Sequence, residues 1–349
     1  MISGYFLRVA QETPTKFWIN NPTGPEMEWA VAAGAVSCTT NPSYCSKLIT
    51  GEPGYIRCII DEVIKDIKDD DVAAEQVYRK VALRIMHRFR PLYQASGGAY
   101  GYVTVQGDPR RDDNPGYIIE SALQGYKLSK NFMAKIPVTV SGIQAMEDLV
   151  TRDIPICATE VFSIAQALYV CESYRRASQK SGKHPPFYVT HITGIFDQYL
   201  AETVERENIN IAPEILAEAG CIVARKEYRI LKEKGYECTM LGGGARGTRH
   251  FTEMVGSDMH VTINWNTAQS LLEADGPVIF RIEAETPRVV LDELSEKLPD
   301  FRKAFHEDAL LPKEFEGFGP LLLFRNMFLE GYAHLRREIA ARRVLVSQN

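Results

Sequence analysis

Short apolar runs alternate with longer amphipathic stretches over the first 265 residues of the 349-residue chain. The apolar runs suit strands that are buried on both faces, and the amphipathic stretches have the 3.6-residue spacing of helices. The predicted strands are 17–20, 36–39, 102–105, 133–136, 156–159, 187–191, 238–241 and 260–263. The predicted helices are 25–33, 72–90, 116–130, 143–151, 162–177 and 215–234. This alternation is typical of βα units that build a parallel sheet.

Eight predicted strands favour an α/β fold, a single-domain (β/α)8 TIM barrel over residues 1–349, with its core at about 16–265. A doubly wound open sheet stays an alternative, because the number of strands does not by itself close a sheet. Residues 266–349 are predicted as a C-terminal helical extension packed outside the barrel, with a strand-like stretch at 277–282 and a final helix at 321–343. In either fold, functional side chains follow the carboxyl ends of the strands.

The most informative residue is Lys135, in the apolar segment FMAKIPV at 132–138. A buried ammonium group is costly, so such a lysine either loses its proton more easily or pairs with a carboxylate. A lysine with a lowered pKa is a nucleophile that forms imines with carbonyl compounds. The alternatives are a lysine that extends to solvent at the strand end or one paired with Asp108.

Neutral polar side chains end three other predicted strands, namely Asn20, Gln106 and Thr159. A single residue of this kind usually caps a helix or closes a turn. Several around one lysine indicate a polar pocket. Because imine formation requires proton transfer and loss of water, a water molecule held by Gln106 and Thr159 would be a suitable relay.

The glycine-rich segment LGGGARGTRHF at 241–251 is a second candidate site. Exposed N–H groups around Gly244, a following helix and the guanidinium of Arg246 would suit a phosphate. A simple strand-to-helix turn is an equally good interpretation. An NAD site is a poor one, because no acidic residue lies at the expected distance on a following strand.

Composition removes several classes of function. The net charge of −5 argues against a general nucleic-acid binder. No apolar run approaches a membrane span, and the first residues have no apolar signal segment. Seven dispersed cysteines predict reduced thiols in the cytoplasm, and neither a metal site nor a cofactor is indicated.

Six motifs stand out by their order and spacing over roughly residues 16–265, namely FWINN (17–21), SCTTNPSYCSKLI (37–49), VTVQGDPR (103–110), AKIPVT (134–139), ICATEVFSIAQA (156–167) and LGGGARG (241–247). Together they resemble the motifs of the transaldolase family. The resemblance implies a (β/α)8 barrel whose Schiff-base lysine is Lys135.

The resemblance also implies roles for other residues. Asn20 takes the position of an acid after strand one, and Gln106 and Thr159 take those of the proton relay. The implied substrate-binding residues are Thr40, Asn41, Thr190, Gly244 and Arg246, with Arg246 binding phosphate.

Several positions depart from the family pattern. Transaldolases carry Asp at position 20 and Glu at position 106, where this chain has amides, although the fructose-6-phosphate aldolase branch uses Gln at the relay. A second phosphate-binding arginine is replaced by Ile195. Thr190 stands where serine is usual, and Cys157 where asparagine is.

The resulting hypothesis is a cytoplasmic, transaldolase-like transferase of carbohydrate metabolism, with the pentose phosphate pathway as its expected setting. It would cleave a ketose or ketose phosphate and transfer a dihydroxyacetone unit to an aldehyde. The alternatives are a lyase like fructose-6-phosphate aldolase, or a diverged sugar-phosphate-binding barrel with weak activity. The expected partner is a small sugar, with no nucleic acid and no membrane, and a homo-oligomer, first of all a dimer, is expected.

Overall fold

The computed structural model describes residues 4–347, and its eight parallel strands pair in chain order into a closed barrel. Strand β1 closes the barrel by pairing with β8, with Phe17 opposite Val261. Strands β1 to β8 are Lys16–Asn20, Ser37–Thr39, Val103–Gln106, Phe132–Pro137, Ile156–Val161, Phe187–Ile192, Thr239–Gly243 and His260–Ile263. The TIM-barrel prediction is confirmed, and the open-sheet alternative is excluded.

The helices follow the strands and wrap around them. Helices α1 to α8 are Tyr5–Glu12, Gly24–Ala32, Tyr44–Gly51, Pro53–Asp66, Asp70–Ala95, Pro115–Leu128, Val140–Thr151 and Ile164–Ser181. Helices α9 to α16 are Thr193–Glu207, Pro213–Leu216, Ala219–Glu233, Arg249–Thr252, Trp265–Ala274, Arg288–Lys297, Pro299–Phe305 and Gly319–Ser347. Two 3-10 turns lie at Pro109–Arg111 and Pro312–Glu314. Within residues 4–347, no helix combines the length and the apolar character that crossing a bilayer requires.

The strand-like prediction for 277–282 is wrong, since this stretch forms neither strand nor helix. Its apolar, β-branched composition favours a strand, but all eight strands are already paired around the barrel. A closed barrel has no free edge to accept another strand. This stretch is instead held by two backbone hydrogen bonds, in which the N–H groups of Arg281 and Ile282 donate to the carbonyl of Val255.

Side chains inside the barrel divide into an apolar lower layer and a polar upper layer. The lower layer contains Trp18, Tyr102, Met133, Cys157, Tyr188 and Leu241. Two residues further along their strands, Asn20 and Lys135 reach the carboxyl ends, because alternate residues of a strand point to the same side. The interior is therefore a packed floor below a polar mouth.

The final helix α16 lies over the barrel mouth, and it contains the helix predicted at 321–343. It contacts α3, α4, α5 and α9, and it also reaches the end of β5. A Cβ on Gly331 would lie 2.4 Å from the Ser43 hydroxyl, so glycine is needed where α16 meets α3. The apolar face of this helix covers the site.

Candidate active site

A pocket of about 200 Å³ opens at the carboxyl ends of the strands. Its floor is polar and its roof is the apolar face of α16. The lining residues are Asn20, Asn21, Thr39, Asn41, Ser43, Lys135, Thr190, Ile192, Gly243, Gly244, Ala245, Arg246, Thr262, Ile263, Asn264, Phe324, Met327 and Phe328. Six of the nine residues proposed from the sequence thus meet in one pocket.

Lys135 projects from β4 into this pocket with only 6% of its surface exposed. Its Nζ donates to the backbone carbonyl of Thr40 at 3.3 Å and lies 5.8 Å from the centre of the Phe328 ring. Burial lowers the pKa of Lys135, and the neighbouring Cys157 and Glu160 only partly offset this effect. A neutral amine is therefore easier to reach here than in water, which suits attack on a carbonyl carbon.

The alternative pairing of Lys135 with Asp108 does not occur. The Asp108 carboxylate accepts instead from Arg110, whose Nη2 lies 2.5 Å from Oδ2. Within residues 4–347, no carboxylate oxygen lies within 4.0 Å of the Lys135 nitrogen. The lysine does not extend to solvent either, so both of the ordinary interpretations fail.

The two residues expected to hold a relay water are adjacent to the lysine in the barrel wall. Gln106 is opposite Lys135 in the β3–β4 register, and Thr159 is opposite Pro137 on β5. Both side chains are buried, and within residues 4–347 neither Gln106 Oε1 nor Thr159 Oγ1 has a hydrogen-bond partner. Because buried polar atoms are normally paired, these two need a small polar molecule.

Asn20 belongs to a row of hydrogen bonds across the other wall of the pocket. Its Oδ1 accepts from the Thr39 hydroxyl at 3.0 Å, and the Thr39 and Thr262 hydroxyls lie 2.6 Å apart. The row presents hydroxyl and amide groups to the pocket. It contains no group that ionises near neutral pH.

Asn41 and Thr190 line the pocket with their side chains, whereas Thr40 contributes only its backbone carbonyl. Asn41 lines the pocket, with its Oδ1 accepting from the N–H of Ser43. Thr190 also lines it, with its hydroxyl 3.1 Å from the Cys157 sulfur. The side chain of Thr40 bonds to Tyr78 instead, and only its carbonyl serves the site, through Lys135.

The glycine-rich loop after β7 brings Gly244 and Arg246 to the rim of the pocket. Gly244 has a φ of +65°, and a Cβ there would lie 2.5 Å from Ile192. The N–H groups of Arg246 and Gly247 are already bonded to His250, and the helix that follows has only four residues. The guanidinium of Arg246 is thus the group left to bind an anion, since no carboxylate of the described chain lies within ion-pair distance of it.

Sequence reasoning missed Glu160, which lies beside Thr159 at the end of β5. Its carboxyl group is 1% exposed, and Oε1 accepts from Gln106 Nε2 at 3.0 Å. Burial raises the pKa of Glu160 to about 7, against the lowering effects of Gln106, Lys135 and Arg325. A glutamate in the segment ICATEVF was the available signal, because carboxylates are almost never buried without a partner.

The backbone at Glu160 is in the left-handed region, with a φ of +59°. The β5–β6 register shifts between Ala158 and Val161, so the residue forms a bulge. A non-glycine residue in this conformation costs about 1–3 kcal/mol, and such costs concentrate at functional sites. The bulge turns the carboxyl group towards Gln106 when strict alternation would turn it away.

The raised pKa of Glu160 makes a testable contribution to stability. Its pKa is about 7 in the folded chain against an ordinary 4.5, so this group favours folding below about pH 4.5 and loses that contribution as the pH rises through 7. We expect Glu160→Gln, which keeps an acceptor for Gln106, to gain about 2–3 kcal/mol of unfolding free energy over wild type between pH 5 and pH 8. Urea titrations at both pH values measure this gain. The surface variant Glu205→Gln should show no such change, and a pH-independent difference for Glu160→Gln would contradict the assignment.

The chain belongs to the transaldolase/fructose-6-phosphate aldolase family, whose model matches residues 23–309. The match includes the strands that carry Lys135, Gln106 and Thr159, and it begins just after Asn20.

Curated relatives resemble the chain at low identity. A transaldolase of Neisseria meningitidis serogroup C is 26% identical over 208 residues, covering 54% of this chain and 58% of the relative. Transaldolase 1 of Streptomyces avermitilis is 26% identical over 212 residues, covering 57% and 54%. The chain thus matches somewhat more than half the length of these relatives. A solved chain of the methanol:cobalamin methyltransferase complex MtaBC from Methanosarcina barkeri aligns over 78% of this chain and 77% of its own, at 11% identity and a TM-score of 0.33.

Proposed function

We propose that this protein is a Schiff-base aldol enzyme that cleaves a ketose and transfers a dihydroxyacetone unit to an aldehyde. The observation that supports it most is the Lys135 amine, buried and without an acidic partner in the described chain, at the floor of a polar pocket. Such an amine has a lowered pKa and an open space beside it for a carbonyl compound.

The proposed reaction begins when Lys135 Nζ attacks the ketone carbon and forms a carbinolamine. The carbinolamine oxygen takes a proton and leaves as water, and the nitrogen lone pair forms the iminium. The bond between the third and fourth carbons then breaks, and its electrons move into the iminium to form an enamine. The proton of the C4 hydroxyl passes to solvent water, and the first aldehyde departs.

The fate of the enamine separates two activities of the same site. Attack of its carbon on a second aldehyde is transfer, whereas protonation followed by hydrolysis releases dihydroxyacetone. The glutamine at position 106 favours the second outcome by resemblance to the aldolase branch of the family. The overall resemblance and the names of the curated relatives favour transfer.

Product masses distinguish the two outcomes. The protein is incubated with fructose 6-phosphate alone and then with an added aldehyde acceptor of different carbon number. Transfer predicts a new ketose, longer than the acceptor by three carbons, and little free dihydroxyacetone. Release of dihydroxyacetone at an equal rate with and without acceptor would establish the lyase, and no cleavage of any ketose would overturn the proposal.

Arg246 is proposed to bind the phosphate of a phosphorylated ketose. A charge-assisted hydrogen bond contributes about 1.5–3 kcal/mol, so Arg246→Ala should raise KM for fructose 6-phosphate by about ten- to a hundredfold. The half-saturating concentration of dihydroxyacetone, which has no phosphate, should change less than about twofold. Steady-state kinetics measure KM for fructose 6-phosphate, and the yield of borohydride-reduced adduct against dihydroxyacetone concentration measures the second constant.

The control for Arg246 is Arg152→Ala. Arg152 is an exposed arginine at the end of α7 whose partner is Asp148. The Arg152→Ala variant should leave KM for fructose 6-phosphate and the half-saturating concentration of dihydroxyacetone unchanged. If Arg246→Ala raised KM for fructose 6-phosphate and the half-saturating concentration of dihydroxyacetone by the same factor, this arginine would not recognise phosphate.

A further inference from the structure

Asn20, Gln106 and Thr159, the residues expected to act beside Lys135, include no obvious proton carrier. Asn20 and Gln106 end in amides, which neither gain nor lose protons near neutral pH. Thr159 offers a hydroxyl group that can pass a proton but cannot store one. A Schiff-base reaction must nevertheless give a proton to the carbinolamine oxygen and recover it later.

Titratable groups near the lysine are few, and most are committed elsewhere. Asp108 is ion-paired with Arg110. Cys157 is fully buried, and burial raises the pKa of its thiol, so it stays protonated. The carboxyl groups of Asp112 and Glu160 remain, and of these Glu160 accepts from Gln106 Nε2 at 3.0 Å.

The hydrogen bond from Gln106 to Glu160 also determines which way the glutamine amide faces. Nε2 donates to the carboxyl group, so Oε1 is the atom left to accept a hydrogen bond. Oε1 of Gln106 and Oγ1 of Thr159 are both buried and unpartnered among residues 4–347. One water molecule that donates to Gln106 and bonds to Thr159 would satisfy both atoms.

The groups that face Glu160 come from four elements. Lys135 is on β4, Asp112 and Asp113 follow β3, and Arg325 is on α16, with Glu316 preceding that helix. Asp112 is itself buried, and burial together with Glu160 raises its pKa well above the usual range. The amine of Lys135, the guanidinium of Arg325 and the Asp112 carboxyl group with its raised pKa therefore lie around the Glu160 carboxyl group.

We propose that Glu160 stores the proton of the imine-forming step and exchanges it through the water held by Gln106 and Thr159. This inference rests on the Schiff-base function proposed above. In the dehydration step the carbinolamine oxygen takes a proton from the water, and the water takes one from the Glu160 carboxyl group. The C–O bond breaks, water leaves, and the carboxylate remains beside the new iminium. Hydrolysis of the product imine runs these transfers in reverse and returns the proton to Glu160.

The acid form of Glu160 is needed for dehydration, so the rate should fall as the pH rises through about 7, where the carboxyl group ionises. Loss of a general acid or base typically costs a factor of about 10² to 10⁴. We expect Glu160→Gln to form the iminium at least about a hundredfold more slowly, and to lack this falling limb of the pH profile. The half-saturating concentration of dihydroxyacetone should change less than about threefold, because Glu160 does not line the substrate pocket.

The experiment follows adduct formation with dihydroxyacetone by rapid quenching with borohydride from pH 5 to pH 9. Absence of an adduct in wild type would defeat the Schiff-base function itself. A wild-type adduct with an unchanged rate and pH profile in Glu160→Gln would overturn the role of Glu160 alone. The matched control is Glu227→Gln, an equally buried glutamate bonded to His191. It should keep the wild-type rate, and an equal loss there would also overturn the proposal.

Discussion

Lys135→Ala should lower kcat for ketose turnover by on the order of 10⁵-fold or more, because it removes the atom that would carry the covalent intermediate. No other lysine lines the pocket in the described part of the chain, so no neighbouring amine can take its place. The measurement is steady-state turnover with the best ketose found. A loss of less than about tenfold would contradict the covalent role.

Lys135→Met separates chemistry from folding. The variant fills a similar volume without an ammonium group, so it should be as inactive as Lys135→Ala yet at least as stable as wild type. The pKa of Lys135 is lowered on folding from an ordinary 10.5, so the unfolded chain binds more protons below that value. Wild type should therefore gain stability as the pH rises towards about 10.5, and Lys135→Met should lack this gain. A loss of stability in Lys135→Met at neutral pH would mean that the lysine helps to hold the barrel together.

Phe328→Ala should remove the roof of the site. Phe328 is 1% exposed, packs on Phe324 and lies over the lysine nitrogen, so its truncation should cost about 3–5 kcal/mol of unfolding free energy. The cavity would also admit water to the amine and relieve the desolvation that lowers the pKa of Lys135. The rising limb in the pH profile of adduct formation, which follows deprotonation of Lys135, should move to higher pH.

Phe301→Ala is the control for Phe328→Ala. Phe301 is also fully buried, but it stacks on Phe305 away from the pocket. It should lose a similar amount of stability and keep the wild-type pH profile. If the pH profile of adduct formation shifted in both variants, the shift would follow from the general loss of stability and not from the loss of the Phe328 ring above Lys135.

The barrel itself was predictable because each buried parallel strand leaves a short apolar run, and each intervening helix leaves an amphipathic one. Helix α9 was not predicted because it begins at Thr193, directly after β6, with Ile192 at its N-cap and no capping side chain. The predicted helix at 215–234 is divided into Pro213–Leu216 and Ala219–Glu233. The helical pattern of α16 was visible, but a pattern gives the apolar face of a helix and not the surface it covers.

The candidate site was predictable where it depends on position along a strand, as for Lys135, Gln106 and Thr159. Glu160 was not, because strict alternation places it on the opposite side from Thr159, and only the bulge brings it to Gln106. The commitment of the loop N–H groups to His250 depends on a contact made after folding. Such long-range contacts leave no periodic trace in the chain.

Borohydride reduction of the protein in the presence of dihydroxyacetone, followed by mass mapping of its peptides, tests the covalent role of Lys135. We expect a reduced three-carbon adduct on the peptide that contains Lys135, and none on that peptide without borohydride. An unmodified Lys135, with or without scattered labelling of surface lysines, would contradict it.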